Sequence, residues 1–152
     1  LHAFADRMQV QVYLEPGEAA VTGAATLEVS VLDVLDDQRE LPVTIIDAST
    51  EAHMLDLLTY GLPARIEPNV GPWRSQVAGN TCLAGDIFGE FSFPQPLRPG
   101  DRLSLQDAAG YTMVKKNWFN GVAMPAIAVR RLDGRIEMQR QFGYEDFRDA
   151  LS

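Results

Sequence analysis

A single cysteine, Cys82, stands in the stretch Gly79-Asn80-Thr81-Cys82-Leu83-Ala84-Gly85-Asp86-Ile87-Phe88-Gly89-Glu90, with a carboxylate four residues after it and three glycines around it. Glycine so placed lets the backbone bend tightly or lets another group come close. A thiol with an acid nearby can do nucleophilic or proton-transfer chemistry. The plain alternative is a buried free cysteine beside a turn, since free cysteine packs as a small hydrophobe. Other carboxylates are expected at strand ends, Glu15 in Glu15-Pro16-Gly17 and Asp47 in Asp47-Ala48-Ser49-Thr50. The two histidines are His2 and His53, and the two lysines are Lys115 and Lys116.

Much chemistry lacks its sequence signature. Zinc spacings such as H-E-x-x-H or paired C-x-x-C are absent, so no metal site is expected. No G-x-S-x-G elbow supports a serine nucleophile, and no glycine loop of the phosphate-cradling kinds occurs. The formal net charge is -8 with 13 basic residues scattered along the chain, which argues against nucleic acid or an anionic membrane as partner. No apolar run approaches the roughly 20 residues of a membrane helix. One cysteine allows no internal disulfide, and no signal-peptide pattern opens the sequence; a cytoplasmic location is the expectation.

The residues must be positioned by a mainly β chain of 152 residues, the length of one domain. Met8 to Leu14, Thr26 to Leu35, Leu41 to Ile46, Arg102 to Gln106 and the pair Ala126 to Arg131 and Arg135 to Gln141 read as strands, the last two as a hairpin about Asp133-Gly134. Asp36-Asp37-Gln38-Arg39 reads as a hairpin-like turn. Tyr111 to Val114 reads as loop passing into strand, and Ile66 to Ser75, broken by Pro68, Gly71 and Pro72, as loop or edge structure. Helix is expected at Leu1 to Arg7, for one or two turns in Glu51 to Leu58, and over Tyr144, Phe147 and Leu151 at the end. Phe119-Asn120-Gly121 is a tight-turn signal. Short strands at such spacing predict an antiparallel β sandwich or barrel.

Four stretches resemble the C-terminal part of the fold-type III, pyridoxal-phosphate-dependent amino acid decarboxylases: Tyr13-Leu14-Glu15-Pro16-Gly17-Glu18, Thr81-Cys82-Leu83-Ala84-Gly85-Asp86, Gly110-Tyr111-Thr112-Met113-Val114-Lys115 and Phe119-Asn120-Gly121. Within that family the chain is most similar to the carboxynorspermidine (carboxyspermidine) decarboxylases, through C-L-A-G-D, E-P-G-E, Ala52-His53-Met54 and the closing Phe142-Gly143-Tyr144-Glu145-Asp146-Phe147. Ornithine and diaminopimelate decarboxylases share the layout but usually carry E-P-G-R and an acid directly after the cysteine.

The resemblance implies residues 1–22 as the tail of an α/β barrel and residues 23–152 as a C-terminal β domain with a short final helix. It implies pyridoxal 5'-phosphate (PLP) as cofactor, with the Schiff-base lysine upstream of this sequence and not Lys115 or Lys116. It implies a homodimer with shared active sites, in which Cys82 of one subunit protonates the substrate in the other. Glu15 resembles the carboxylate that keeps the cofactor's ring nitrogen protonated, and Tyr111 the tyrosine that meets its phosphate or ring. Asp86, and more weakly Asp47 and His53, are candidates for contact with a polyamine-like amino acid substrate. Glu18 departs from the arginine of E-P-G-R, and Asn80 stands where relatives more often have proline. The competing expectation is a non-catalytic β module that inherited the fold and binds a partner.

Overall fold

The computed structural model describes residues 1–37 and 39–151. A helix α1 (His2–Met8) ends at Gln9 in the left-handed region, and a single 3-10 turn covers Gly17–Val21. Strands β1 (Leu27–Leu35) and β2 (Val43–Ile46) follow, then two short helices, α2 (Thr50–His53) and α3 (Leu55–Tyr60). Next come β3 (Ile66–Glu67), β4 (Trp73–Ala78), β5 (Ile87–Phe93), β6 (Arg102–Leu105) and helix α4 (Tyr111–Lys115). A 3-10 turn at Phe119–Gly121, the hairpin β7 (Ile127–Arg130) and β8 (Ile136–Arg140), and helix α5 (Tyr144–Asp149) complete the chain.

Six strands form one sheet in the order β3-β6-β1-β2-β4-β5. β1 is its spine: Leu27 to Ser30 pair antiparallel with β6, and Val31 to Leu35 pair antiparallel with β2. Leu27, Val29 and Val31 face the core and Leu32 faces out as the alternation requires, and an irregularity between Val31 and Asp33 then shifts the pairing and leaves Asp33 exposed as well. The Ala64 amide, just ahead of β3, donates to the Phe88 carbonyl of β5 at 2.7 Å. That bond joins the two edges, so the mixed sheet is nearly closed, with Val29, Ile46, Val77, Phe88 and Leu105 almost fully buried inside.

The mainly β architecture expected from the sequence is present, with four local differences. β2 and β4 run parallel, an arrangement made possible by the long connection through α2, α3 and β3. β4, within and beyond the stretch read as loop or edge, lies inside the sheet; its inward Ser75 hid the alternation because its hydroxyl is buried against Thr44 Oγ1 at 2.7 Å. Tyr111 to Lys115 is helix rather than strand: Thr112 is buried as α4 packs on α2 and α3, and tertiary packing overrides the strand preference of its β-branched residues. Met8 to Leu14 forms no strand beyond the helix end; it is exposed throughout, and among the described residues no strand pairs with it. Of the expected turn at Asp36 to Arg39, Gln38 lies outside the described residues. Among those described, no helix is long and apolar enough to cross a membrane.

Candidate functional site

The Cys82 loop connects β4 to β5, and a buried carboxylate fixes its shape. Asp86 is 5 % exposed. Its Oδ1 accepts from the Thr50 amide at 2.7 Å and the Thr50 hydroxyl at 2.8 Å, and its Oδ2 from the Thr81 hydroxyl at 2.5 Å and amide at 3.3 Å. The Gly79 amide donates to the Asp86 carbonyl at 2.8 Å, and Asn80 donates to the Ala48 carbonyl at 3.1 Å. Gly79 has to be glycine because a Cβ there would overlap the Asp86 carboxylate. With its base tied down on both sides, the loop carries Cys82 outward with an exposed side chain.

A second segment closes on the first. Asn117 donates through its amide to the Ala52 carbonyl at 2.8 Å and through Nδ2 to the Glu51 carbonyl at 3.0 Å, while its Oδ1 accepts from the Phe119 amide at 2.8 Å. The turn that follows puts Asn120 in the left-handed region, φ 53° and ψ 15°, and its Nδ2 donates to Cys82 Sγ at 3.2 Å. Hydrogen bonds and short runs of backbone together form a circuit from Cys82 through Thr81, Asp86, Thr50, α2, Asn117 and Asn120 back to the sulfur.

His53 closes α2 and Asp47 lies just ahead of it. His53 is 4 % exposed, and its Nδ1 accepts from the Ser49 amide at 3.2 Å. The neutral ring's proton therefore sits on Nε2, which has no full hydrogen bond. Burial lowers the His53 pKa, against the opposing pulls of the Ala123 carbonyl and the Asp47 and Asp86 carboxylates. The ring borders a cavity of about 790 Å³ with Thr112, Met113 and Lys116. Asp47 is exposed and its Oδ1 accepts from the Ser30 amide at 2.7 Å, which ties the end of β2 to β1.

Glu15 is exposed, in a segment without helix or strand. Three residues on, Glu18 lies against Gly110, where a Cβ would press on Glu18 Oε1 and Val21, so the E-P-G-E and G-Y-T stretches meet. Tyr111, 54 % exposed, opens α4 with Lys115 Nζ 5.0 Å from its ring centroid. Lys115 also pairs with Asp56, which raises its pKa. Lys116 donates to the Met113 carbonyl at 2.9 Å and lies over the Phe142 ring.

The structure thus gathers Cys82, Asp86 and, through α2, His53 into one hydrogen-bonded unit, and brings the Glu15 segment against the start of the Tyr111 helix. Asp86 has no lone pair left over for the expected substrate amine: a carboxylate has about four acceptor positions, and four donors within the chain use them. Sequence reading missed Thr50, Asn117 and the side-chain role of Asn120. The F-N-G turn was visible as a turn, but no local pattern indicates that its amide reaches a sulfur 38 residues away.

No protein-family model matches the sequence. All 152 residues align at 56% identity with the carboxynorspermidine/carboxyspermidine decarboxylase of Herminiimonas arsenicoxydans, covering 41% of that protein. The chain is homologous, end to end, to part of the carboxynorspermidine/carboxyspermidine decarboxylases. A carboxyaminopropylagmatine decarboxylase of Synechocystis is 40% identical over 93% of this chain and 38% of its own. The crystal structure of carboxynorspermidine decarboxylase from Campylobacter jejuni, complexed with norspermidine, superposes with a TM-score of 0.80 at 34% identity over 95% of this chain and 43% of that one. Diaminopimelate, arginine and lysine decarboxylases share the fold at lower identity, one lysine decarboxylase in complex with PLP and cadaverine at 22% identity and a TM-score of 0.62. The chain spans about two fifths of the length of the carboxynorspermidine/carboxyspermidine decarboxylases it is aligned with, and corresponds to their C-terminal part.

Proposed function

We propose that this chain furnishes the C-terminal β domain, residues 23–152, and the tail of the cofactor-binding barrel, residues 1–22, of a PLP-dependent decarboxylase acting on carboxynorspermidine or carboxyspermidine, with active sites shared across a two-fold dimer. Cys82 carries this reading: it is exposed on a loop whose base is locked by a buried carboxylate, and its sulfur is held by the Asn120 amide.

The residues present fit one side of a PLP site. Tyr111 offers an exposed ring and hydroxyl beside the Glu15 to Glu18 segment. Both lysines are engaged within the chain, consistent with a cofactor-bearing amine elsewhere in the enzyme. Glu18 against Gly110 does not suit a phosphate, so the grip on that group falls to other residues. Bound PLP supplies an electron sink for the pair released when carbon dioxide leaves. Glu15 holds a proton on the ring nitrogen by stabilising its charged form. Tyr111 packs against the ring or donates to the phosphate. Cys82 gives its thiol proton to the substrate's Cα and recovers one from water. Asp86 acts by holding the loop, and Asp47 and His53 border the substrate's path.

The test is turnover in the intact enzyme. Cys82→Ala is expected to lose at least about 99% of kcat, in the range removed with a general acid; turnover at the wild-type rate rejects the assignment. Mixing inactive Cys82→Ala subunits with inactive Glu15→Ala subunits tests the sharing of sites. A hybrid dimer has one undamaged site of two only if Glu15 and Cys82 of one site come from different subunits, so activity should return to about a quarter of wild type.

A further inference from the structure

We infer that Asn120 is a positioning residue that aims the Cys82 thiol, an inference that rests on the reading of Cys82 as proton donor. A cysteine on an exposed loop has three χ1 wells open to it, and only one can point the sulfur at a given carbon. Here Asn120 Nδ2 donates to Sγ at 3.2 Å. The amide is itself held in place: the Asn120 backbone is left-handed, a conformation asparagine adopts far more readily than most residues. The turn around it is closed by bonds from Gly121 to the Trp118 carbonyl at 2.9 Å and from Val122 to the Phe119 carbonyl at 3.2 Å. Behind it Trp118 packs on Phe142 and Phe147, with ring centroids 6.0 and 5.8 Å away. Asn117 ties the same turn to α2, which the Asp86 clamp joins to the Cys82 loop.

Two consequences follow from a fixed N–H donor at the sulfur. It selects the side-chain rotamer that keeps the bond, and it still faces the sulfur as a donor after the thiol has given up its proton. Asparagine is suited to both tasks, since it combines tolerance of the left-handed backbone with a side-chain donor. Glycine would keep the backbone alone; aspartate would keep backbone and shape but turn an anionic oxygen toward the sulfur.

The test uses Asn120→Asp and Asn120→Gly. Alkylation of Cys82 by iodoacetamide at pH 8 is followed by the mass of the peptide that contains it, beside circular dichroism and steady-state kinetics of the intact enzyme. Alkylation is expected to slow about tenfold in Asn120→Asp and about threefold in Asn120→Gly. kcat should fall with KM little changed, and the fold should be intact. A turn with only a structural role would leave the near-isosteric aspartate variant alkylating within a factor of two of wild type, and that result overturns the inference. Slowed alkylation beside full turnover of Cys82→Ala upholds the hold on the sulfur and refutes the proton-donor role. An inactive Cys82→Ala beside wild-type alkylation and turnover in both Asn120 variants does the reverse.

Discussion

Replacing Asp86 by asparagine keeps the side chain's shape and changes its hydrogen-bonding capacity. The carboxylate accepts from two donors of Thr50 on one oxygen and two of Thr81 on the other, and Thr50 is fully buried. Whichever way the new amide turns, its NH2 group faces an amide and a hydroxyl that both donated to the carboxylate, and only the hydroxyl can turn to accept from it. Two charge-assisted bonds at about 1.5–3 kcal/mol each are lost and the other two weaken. Rotation of the hydroxyls and water entry on the half-exposed Thr81 side recover part of this, leaving a net loss of about 2–4 kcal/mol. At about 2–4 °C per kcal/mol for a chain of this size, Tm should fall by about 5–15 °C, read by circular dichroism with a urea titration as the independent measure. A carboxylate whose only role were to meet a substrate amine would leave the melting of the substrate-free protein unchanged and raise KM alone. A Tm within about 2 °C of wild type would refute the clamp.

Gly79→Ala should destabilise by about 1–3 kcal/mol by overpacking against Asp86, although the Gly79 backbone is not in the left-handed region; combined with Asp86→Ala, which clears the space, it should cost measurably less than the sum in a double-mutant cycle. Burial lowers the His53 pKa, so the unfolded chain binds a proton there more readily than the folded one. His53 should therefore cost stability as pH falls through the ordinary histidine value of about 6.5, and His53→Gln should flatten the loss of urea stability between about pH 7 and 5. Leu105→Ala, in the strand between β3 and β1 with its side chain fully buried, should cost about 2–5 kcal/mol by the same measurement.

Where a segment's role is set by its immediate neighbours in sequence, the sequence was enough. Alternation in Leu27 to Leu35, the Asp133-Gly134 turn of the last hairpin, and the spacing of Tyr144 and Phe147 each impose a local geometry, and β1, the β7–β8 hairpin and α5 form where expected. The motif stretches identified the decarboxylase family, because residue types at a site are constrained by its chemistry whatever the surrounding chain does. Other features depend on partners far away in the chain. Tyr111 to Lys115 is helical because α2 and α3 give its buried face a surface to pack on. β4 is interior because Thr44 satisfies Ser75, and Met8 to Leu14 lacks a strand because a strand needs a pairing neighbour. Asp86 is an internal clamp and Asn120 meets Cys82 because folding brings Thr50 and the 117–121 turn to one loop. A hydrogen bond between residues tens of positions apart leaves no periodic trace in either segment, so only the folded chain could show which side chains it joins.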